Sequence, residues 1–379
     1  MEINALWQRI SSILFYIYED PKDATIQTLS MMVLGLLLAG SVQLPLIASW
    51  VPADIQLTSI VRRFERFLSD PSVDVREYFL PFVVAMHISL GCQIAYLVID
   101  CTKSGPSCRT VFIGLWYHNT VLPVVWETLR GSKGHVTGKL QTKLMEEVYP
   151  QFKDHHQVVV LGDAEFSNQT LIDWLLEVKW GFVFRFQSTY YVQLEDGTWI
   201  SARDLAEKLD LKVGDLHYIN VTSYTKKHEI TGLSIVLYWE IGNEDPIFLV
   251  TNLSEGMAPH LAYKKRFAIE TIFSQFKSRA FNLASTHIDK PEHIDRLILA
   301  IAIGTCLVLG LGTNVLLTNQ QKMVDRTDRR DLSLFQIGYR YLIRLLVSGR
   351  VKNFKMKFSW EFKLPPAGYK KKKKRHKTT

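Results

Sequence analysis

The sequence predicts a mixed α/β protein: a mixed β-sheet with helices on its faces, interrupted by a β-strand-rich insertion and preceded by an all-helical region. Three observations predict it. Up to about residue 80 the apolar residues recur at helical spacing, and from residue 92 they gather into short strand-like runs. Those runs alternate with helical segments in the order β-β-β-α-β-α-β, which calls for a sheet covered on its faces. A second strand-rich block then separates the last of these strands from a long helix. The chain has 379 residues, 47% hydrophobic and 12% aromatic. It is long enough for two or three domains and too aromatic to remain solvated, so disorder throughout is excluded.

The helical region comes first. Ile26 to Ala39, Leu44 to Trp50 and Leu57 to Leu68 are apolar-periodic and separated by turn signals. The last carries Arg62, Arg63 and Arg66 around Ile60, Val61, Phe64, Phe67 and Leu68, so one face is basic, as in a helix-turn-helix-like DNA-binding domain. Met1 to Tyr18 is a mixed amphipathic stretch without the pattern of a cleavable signal peptide. Between Asp23 and Asp54, and between Arg296 and Lys322, no residue is charged, and on hydropathy both stretches invite a membrane-spanning reading. The unbroken apolar block of the first, Met31 to Gly40, is ten residues, too short for a bilayer of roughly 30 Å. The second begins like a soluble helix, with Asp289 as N-cap candidate, Pro291 and Glu292, and reads as a helix buried on every side.

The sheet begins at Ile94 to Ile99, a continuous apolar run ending in Asp100. Thr110 to Leu115 and Leu122 to Trp126 follow with short connections, as in an antiparallel meander. A helix is expected from about Lys139 to Tyr149, a buried strand at Val158 to Leu161 ending in Gly162-Asp163, a helix at Gln169 to Val178, and a fifth strand at Phe182 to Phe186. Strands at Tyr190 to Leu194, Leu216 to Tyr224, Leu233 to Trp239 and Ile247 to Thr251 read as a small β insertion, with turn signals at Glu195-Asp-Gly197 and Gly242 to Pro246. A long helix then runs from near Ala262 to about Arg279.

The formal net charge is +8, from 45 Lys+Arg and 37 Asp+Glu. Residues 322–379 hold 18 basic and 4 acidic residues, a net of +14, which leaves 27 against 33, a net of −6, for the first 321. One end is therefore built to meet an anion. Seven of the cations sit in the run from Tyr369 to Lys377, a basic tail suited to non-specific nucleic-acid contact. The four cysteines, Cys92, Cys101, Cys108 and Cys306, show no zinc spacing and no disulfide framework, which fits a reducing compartment.

Asp100 and Asp163 each terminate an apolar strand, where a side chain can leave the core and face a cleft. The long helix supplies the remaining chemistry. Tyr263, Arg266, Glu270 and Lys277 lie 3, 7 and 14 positions from the first. At about 100° per residue they share an arc of roughly 60°, beside an apolar face of Ile269, Ile272, Phe273 and Phe276. One helical face thus offers a carboxylate flanked by cations and a tyrosine.

The spacing Tyr-x2-Arg-x3-Glu-x6-Lys, matched without a gap by Tyr263, Arg266, Glu270 and Lys277, resembles the signature of bacterial insertion-sequence DDE transposases. Val98-Ile-Asp100 followed by Thr102 looks like the family's first-Asp motif, Leu161-Gly-Asp163 like the second, and Asp331 to Gly338 like its C-terminal segment. Ala164 departs from the pattern, since an Arg often follows the second Asp. The resemblance implies a ribonuclease-H-like catalytic fold, in which Asp100, Asp163 and Glu270 converge as catalytic residues and metal ligands. Three hard oxygen donors suit two Mg²⁺ ions about 3.5 to 4 Å apart, with Mn²⁺ able to substitute. The implied activity is cut-and-paste transposition: hydrolysis at the transposon ends, then strand transfer by the freed 3′-hydroxyl. Arg266 and Lys277 would hold DNA phosphates, and Tyr263 would hydrogen-bond one. Relatives with the β insertion pass through a DNA hairpin with a flipped base, for which Trp239 is the stacking candidate and Arg185 a phosphate contact.

The organisation that follows is a helical DNA-binding domain over 1–85, a catalytic domain over 86–187 and 259–318 with the β insertion over 188–258, a basic helical segment over 319–368, and a basic tail over 369–379. The expected partner is double-stranded DNA, as terminal inverted repeats and as target. A DNA-bound homodimer, no membrane association and a bacterial cytoplasmic, nucleoid-associated location complete the expectation. The competing classes are a domesticated DNA-binding protein that does not cut, a hydrolytic ribonuclease of the same fold, and an integral membrane protein spanning at Thr28 to Trp50 and Leu297 to Leu317.

Overall fold

A computed structural model describes residues 2–18, 23–91, 94–131, 134–224, 230–326, 329–362 and 364. Cys92 and the basic tail 369–379 lie outside the described residues.

Five helices come first: α1 (Glu2–Tyr18), α2 (Ala24–Ala39), α3 (Leu44–Ala48), α4 (Leu57–Ser69) and α5 (Val75–Leu90). Helix α2 begins where Asp23 caps the Thr25 amide and ends at Gly40, whose φ of 59° completes a left-handed cap. The periodicity did not reveal α5, which contains Pro81, a residue that argues against a helix interior. It starts at Asp74, whose side chain accepts from the Arg76 and Glu77 amides.

The sheet has eight strands in the order β3-β2-β1-β4-β5-β11-β10-β8. The hairpins β1 (Ile94–Gly105), β2 (Cys108–Tyr117) and β3 (Thr120–Arg130) are antiparallel, while β4 (Gln157–Gly162) and β5 (Gly181–Arg185) run parallel to β1. Helices α6 (Gly138–Phe152) and α7 (Gln169–Glu177) make the crossovers. This is the mixed α/β arrangement expected from the strand order, and the ribonuclease-H-like one that the resemblance implies.

The strands of the insertion are divided between two sheets. Strands β8 (Leu216–Val221), β10 (Leu233–Tyr238) and β11 (Ile247–Thr251) do not form a sheet of their own but extend the main one, through the pairing of Leu249 with Arg185. Among the described residues, β6 (Tyr191–Gln193), β7 (Trp199–Ser201) and β9 (Ser223–Tyr224) make a separate small sheet, with helix α8 (Ala202–Lys208) against β7. The physical reason lies in β11: all five of its residues are buried, as in a strand covered on both faces.

Helix α11 (Pro291–Leu317) is long and apolar enough to cross a membrane, and 94% of its most apolar stretch is buried inside the protein. It packs against α2, α4, α5 and β3, so its hydrophobic surface is satisfied by protein. Its N-cap is Lys290 without a side-chain cap, not Asp289 as the spacing suggested. Asp295 does the anchoring instead, accepting the Thr128 amide at 3.0 Å. After α11 comes α12 (Leu334–Val347), opened by a capping box of Ser333 and Gln336.

Candidate active site

The parallel pairing of β1 with β4 places the two aspartates side by side. Val98 is in register with Leu161, so Asp100 and Asp163 each stand two residues beyond a shared point at the same end of the sheet. Asp100 accepts from the Cys101 amide at 2.7 Å, and Asp163 accepts from the Glu165 amide at 2.9 Å, capping a short turn that follows the strand. Both carboxylates are thereby oriented by backbone immediately next to them.

The third acid arrives on a broken helix, which corrects the expectation of one continuous element from Ala262 to Arg279. The chain forms α9 (Pro259–Lys264), a 3₁₀ turn Lys265–Phe267, α10 (Ala268–Ser274) and a π turn Gln275–Arg279. Turns of both kinds shift angular positions away from 100° per residue, so the four signature residues do not share one exposed face. Tyr263 is 1% and Arg266 8% exposed, whereas the Glu270 side chain is 60% exposed. The tight turn coincides with Lys265, whose ammonium lies 4.6 Å from the Tyr96 ring and 5.2 Å from the Trp116 ring.

Arg266 is the centre of the arrangement. Its Nη1 donates to Asp100 Oδ2 at 3.1 Å and its Nη2 to Glu270 Oε1 at 3.4 Å, while its guanidinium lies against the rings of Tyr263 and Phe267. Burial works against its charge, but Tyr263, Asp100, Asp163 and Glu270 outweigh burial and raise its pKa. Burial likewise pushes the Asp100 carboxyl up to about 6, against the pull of Arg266. Tyr263 is raised above its ordinary value by burial and stays a neutral phenol. Lys277 is half-buried, with its pKa lowered by burial and supported by Asp100.

Among the described residues no three His, Cys, Asp or Glu side chains are placed closely enough to hold a metal ion. The guanidinium occupies the ground between the acids, and its Nε is buried with no hydrogen-bond partner. The donor set nevertheless fits a hard divalent cation: carboxylates alone, one of them desolvated, with a single organic cation in their midst.

Asp163 also lines a cavity of about 930 Å³ whose other walls include Arg185, Arg203, Trp239 and Phe248. Arg185 ends β5 and Trp239 follows β10, its indole Nε1 donating to Asn243 O at 3.1 Å. The expected DNA-contact candidates Arg185 and Trp239 are therefore brought together with an acid. Arg203, on α8, joins them and was not singled out, because no motif marks it. Arg62 and Arg66 are elsewhere, lining a groove of about 760 Å³ with Glu65 and His293. Arg63 braces α4 to α2, its Nε donating to Thr28 Oγ1 at 2.8 Å and its Nη2 to Ala24 O at 3.2 Å.

The family model for the transposase DDE domain matches residues 130–307. Among curated proteins none matches the sequence. Solved structures to which this chain is similar include the piggyBac transposase synaptic complex with hairpin DNA, at 12% identity and a TM-score of 0.41, covering 87% of this chain and 74% of that one. Endonuclease V from Ciona intestinalis, in complex with a 24mer DNA containing an inosine, aligns at 10% identity and a TM-score of 0.31, over 54% of this chain and 96% of that one. Human endonuclease V aligns at 11% identity and a TM-score of 0.26, over 59% and 94%.

Proposed function

We propose, for a chain whose residues 130–307 match a transposase DDE domain, that Asp100, Asp163 and Glu270 cut DNA at transposon ends and join the freed 3′-hydroxyl to target DNA. The observation that carries this reading is the convergence of Asp100 and Glu270 on Arg266, with Asp163 standing beside Asp100 in register. A buried guanidinium held by carboxylates keeps the site assembled in the absence of another cation.

Asp100, Asp163 and Glu270 would hold divalent cations, Mg²⁺ or Mn²⁺ in a pair, which supply charge neutralisation at the scissile phosphate. The chain's own residues do the positioning. Arg266, if exchanged from Asp100 for a bound cation, would be free to fork onto a phosphate oxygen. Lys277 offers a point charge beside Asp100, and the neutral Tyr263 can donate a hydrogen bond. The cavity beside Asp163 is large enough for an extrahelical base, with Trp239 as its stacking surface and Arg185 as a cation for the adjoining phosphate; this supports a hairpin route. A homodimer on DNA and a nucleoid-associated cytoplasmic location belong to the same reading.

The test uses the DNA bordering the gene. Incubated with Mg²⁺ or Mn²⁺, the protein should release a 3′-hydroxyl at one phosphate of each terminal inverted repeat, and a chelator should stop it. If no end-specific nick appears with either metal, the reading fails.

A further inference from the structure

Beyond the signature helix, the far end of the β1–β2 hairpin carries a cationic feature that the fold itself does not explain. Lys103 and Arg109 are directly opposite each other across the two strands. Like charges in that relation destabilise an antiparallel pair. Neither side chain has an ion-pair partner among the described residues. Lys103 is exposed. Arg109 is half-buried, with Nη2 donating to His135 O at 3.1 Å and Nε buried without a hydrogen-bond partner among the described residues.

The surroundings keep the two cations available. Glu165, the carboxylate that shares the neighbourhood of Cys101 with Arg109, is engaged by the Val136 amide and by His135. Lys103 and Arg109 thus stand together near the end of β1, on one face of the hairpin.

We propose that Lys103 and Arg109 form a phosphate-binding pair that carries the backbone of double-stranded DNA past the end of the β1–β2 hairpin. The inference rests on the transposase reading for its choice of ligand. A phosphate between Lys103 and Arg109 turns a repulsive cross-strand pair into a chelating one, and its sequence-independent character suits DNA that differs at every insertion site.

The probe is a 30-base-pair duplex of arbitrary sequence, bound at a series of NaCl concentrations with fluorescence anisotropy as the readout. Lys103→Gln/Arg109→Gln should lower the slope of log K against log[salt] by about 2, and the exposed Lys103→Gln alone by about 1. A control of equal charge loss, Lys153→Gln/Lys179→Gln, removes two exposed lysines that precede β4 and β5 at the opposite end of the sheet; it should change the slope by less than half as much. Unchanged slopes in both variants of the pair, or an equal fall in the control, would overturn the proposal. Because this probe needs no terminal repeat and no cutting, its outcome is separate from that of the end-nicking experiment.

Discussion

Arg266 Nη1 and Asp100 Oδ2 meet at 3.1 Å across 166 residues of sequence. Their side chains are only 10% and 16% exposed, so each is the other's main compensation for leaving water. The same contact holds the signature turn against β1, the strand that carries the first acid.

Removing the guanidinium leaves a desolvated carboxylate. Arg266→Ala should destabilise the protein by about 3 kcal/mol, as expected when one partner of a buried pair is deleted. Mg²⁺ should then raise the thermal midpoint of the variant more than that of the parent, because the cation takes the place the guanidinium left. Scanning calorimetry with and without Mg²⁺ checks both parts. An equal response to Mg²⁺ in the two proteins would argue that the acids do not bind it.

Trp239 lines the cavity beside Asp163 and is only partly buried. Trp239→Ala should leave the thermal midpoint close to the parent value while slowing the processing of terminal DNA about tenfold, in keeping with the roughly 1–3 kcal/mol of a base–aromatic stack. An abasic site at the stacked position should make parent and variant alike. If the midpoint falls by many degrees instead, the indole is a core residue of the sheet extension.

Asp295 gives the fold a pH dependence. Burial pushes its carboxyl up to about 6 from an ordinary 3.8, against the hydrogen bond from Thr128 and the field of Arg76. The folded state therefore prefers the protonated form, and the cost of ionising it is absent below about pH 4 and complete above about pH 6. Asp295→Asn keeps an oxygen for the Thr128 amide and cannot ionise. Relative to the parent it should gain on the order of 2 kcal/mol between pH 4 and pH 7.5, measurable by urea unfolding at the two pH values. A constant difference across that range would contradict the assignment.

Helices α11 and α12 meet through glycine. A Cβ on Gly338 would lie 2.0 Å from Val308 O, and one on Gly312 would lie 2.5 Å from Leu334 O. Backbone cannot yield as a side-chain tip can, so Gly338→Ala should cost about 3 kcal/mol or more by overpacking. Thermal unfolding checks it, and a neutral substitution would mean that the two helices can slide apart freely.

Much of this architecture was legible because burial writes itself into composition. The runs Ile94 to Ile99 and Val158 to Leu161 are continuously apolar, as strands covered on both faces must be, and each ends where an Asp breaks the run. That Asp100 and Asp163 stand in one register was not legible, since the pairing of β1 with β4 spans some 60 residues of chain and is settled by packing. The break at Lys265–Phe267 was hidden for a similar reason. A helical wheel assumes constant rotation, whereas the turn here follows Lys265 onto Tyr96 and Trp116, residues of other elements. The strands of the insertion could be read one by one, but their membership of the main sheet depends on β11 meeting β5. Arg203 stayed invisible because a lone cation becomes a site residue only when the fold turns it toward a cavity.

The central claim is that Asp163 is a working acid of a DNA-cutting site, and the measurement that tests it most directly is nicking of the gene's own terminal DNA by Asp163→Ala in Mg²⁺. The account predicts that the variant folds, with a thermal midpoint near that of the parent, still binds the terminal duplex, and yields no 3′-hydroxyl above background. Cutting by Asp163→Ala at the parent rate would contradict it.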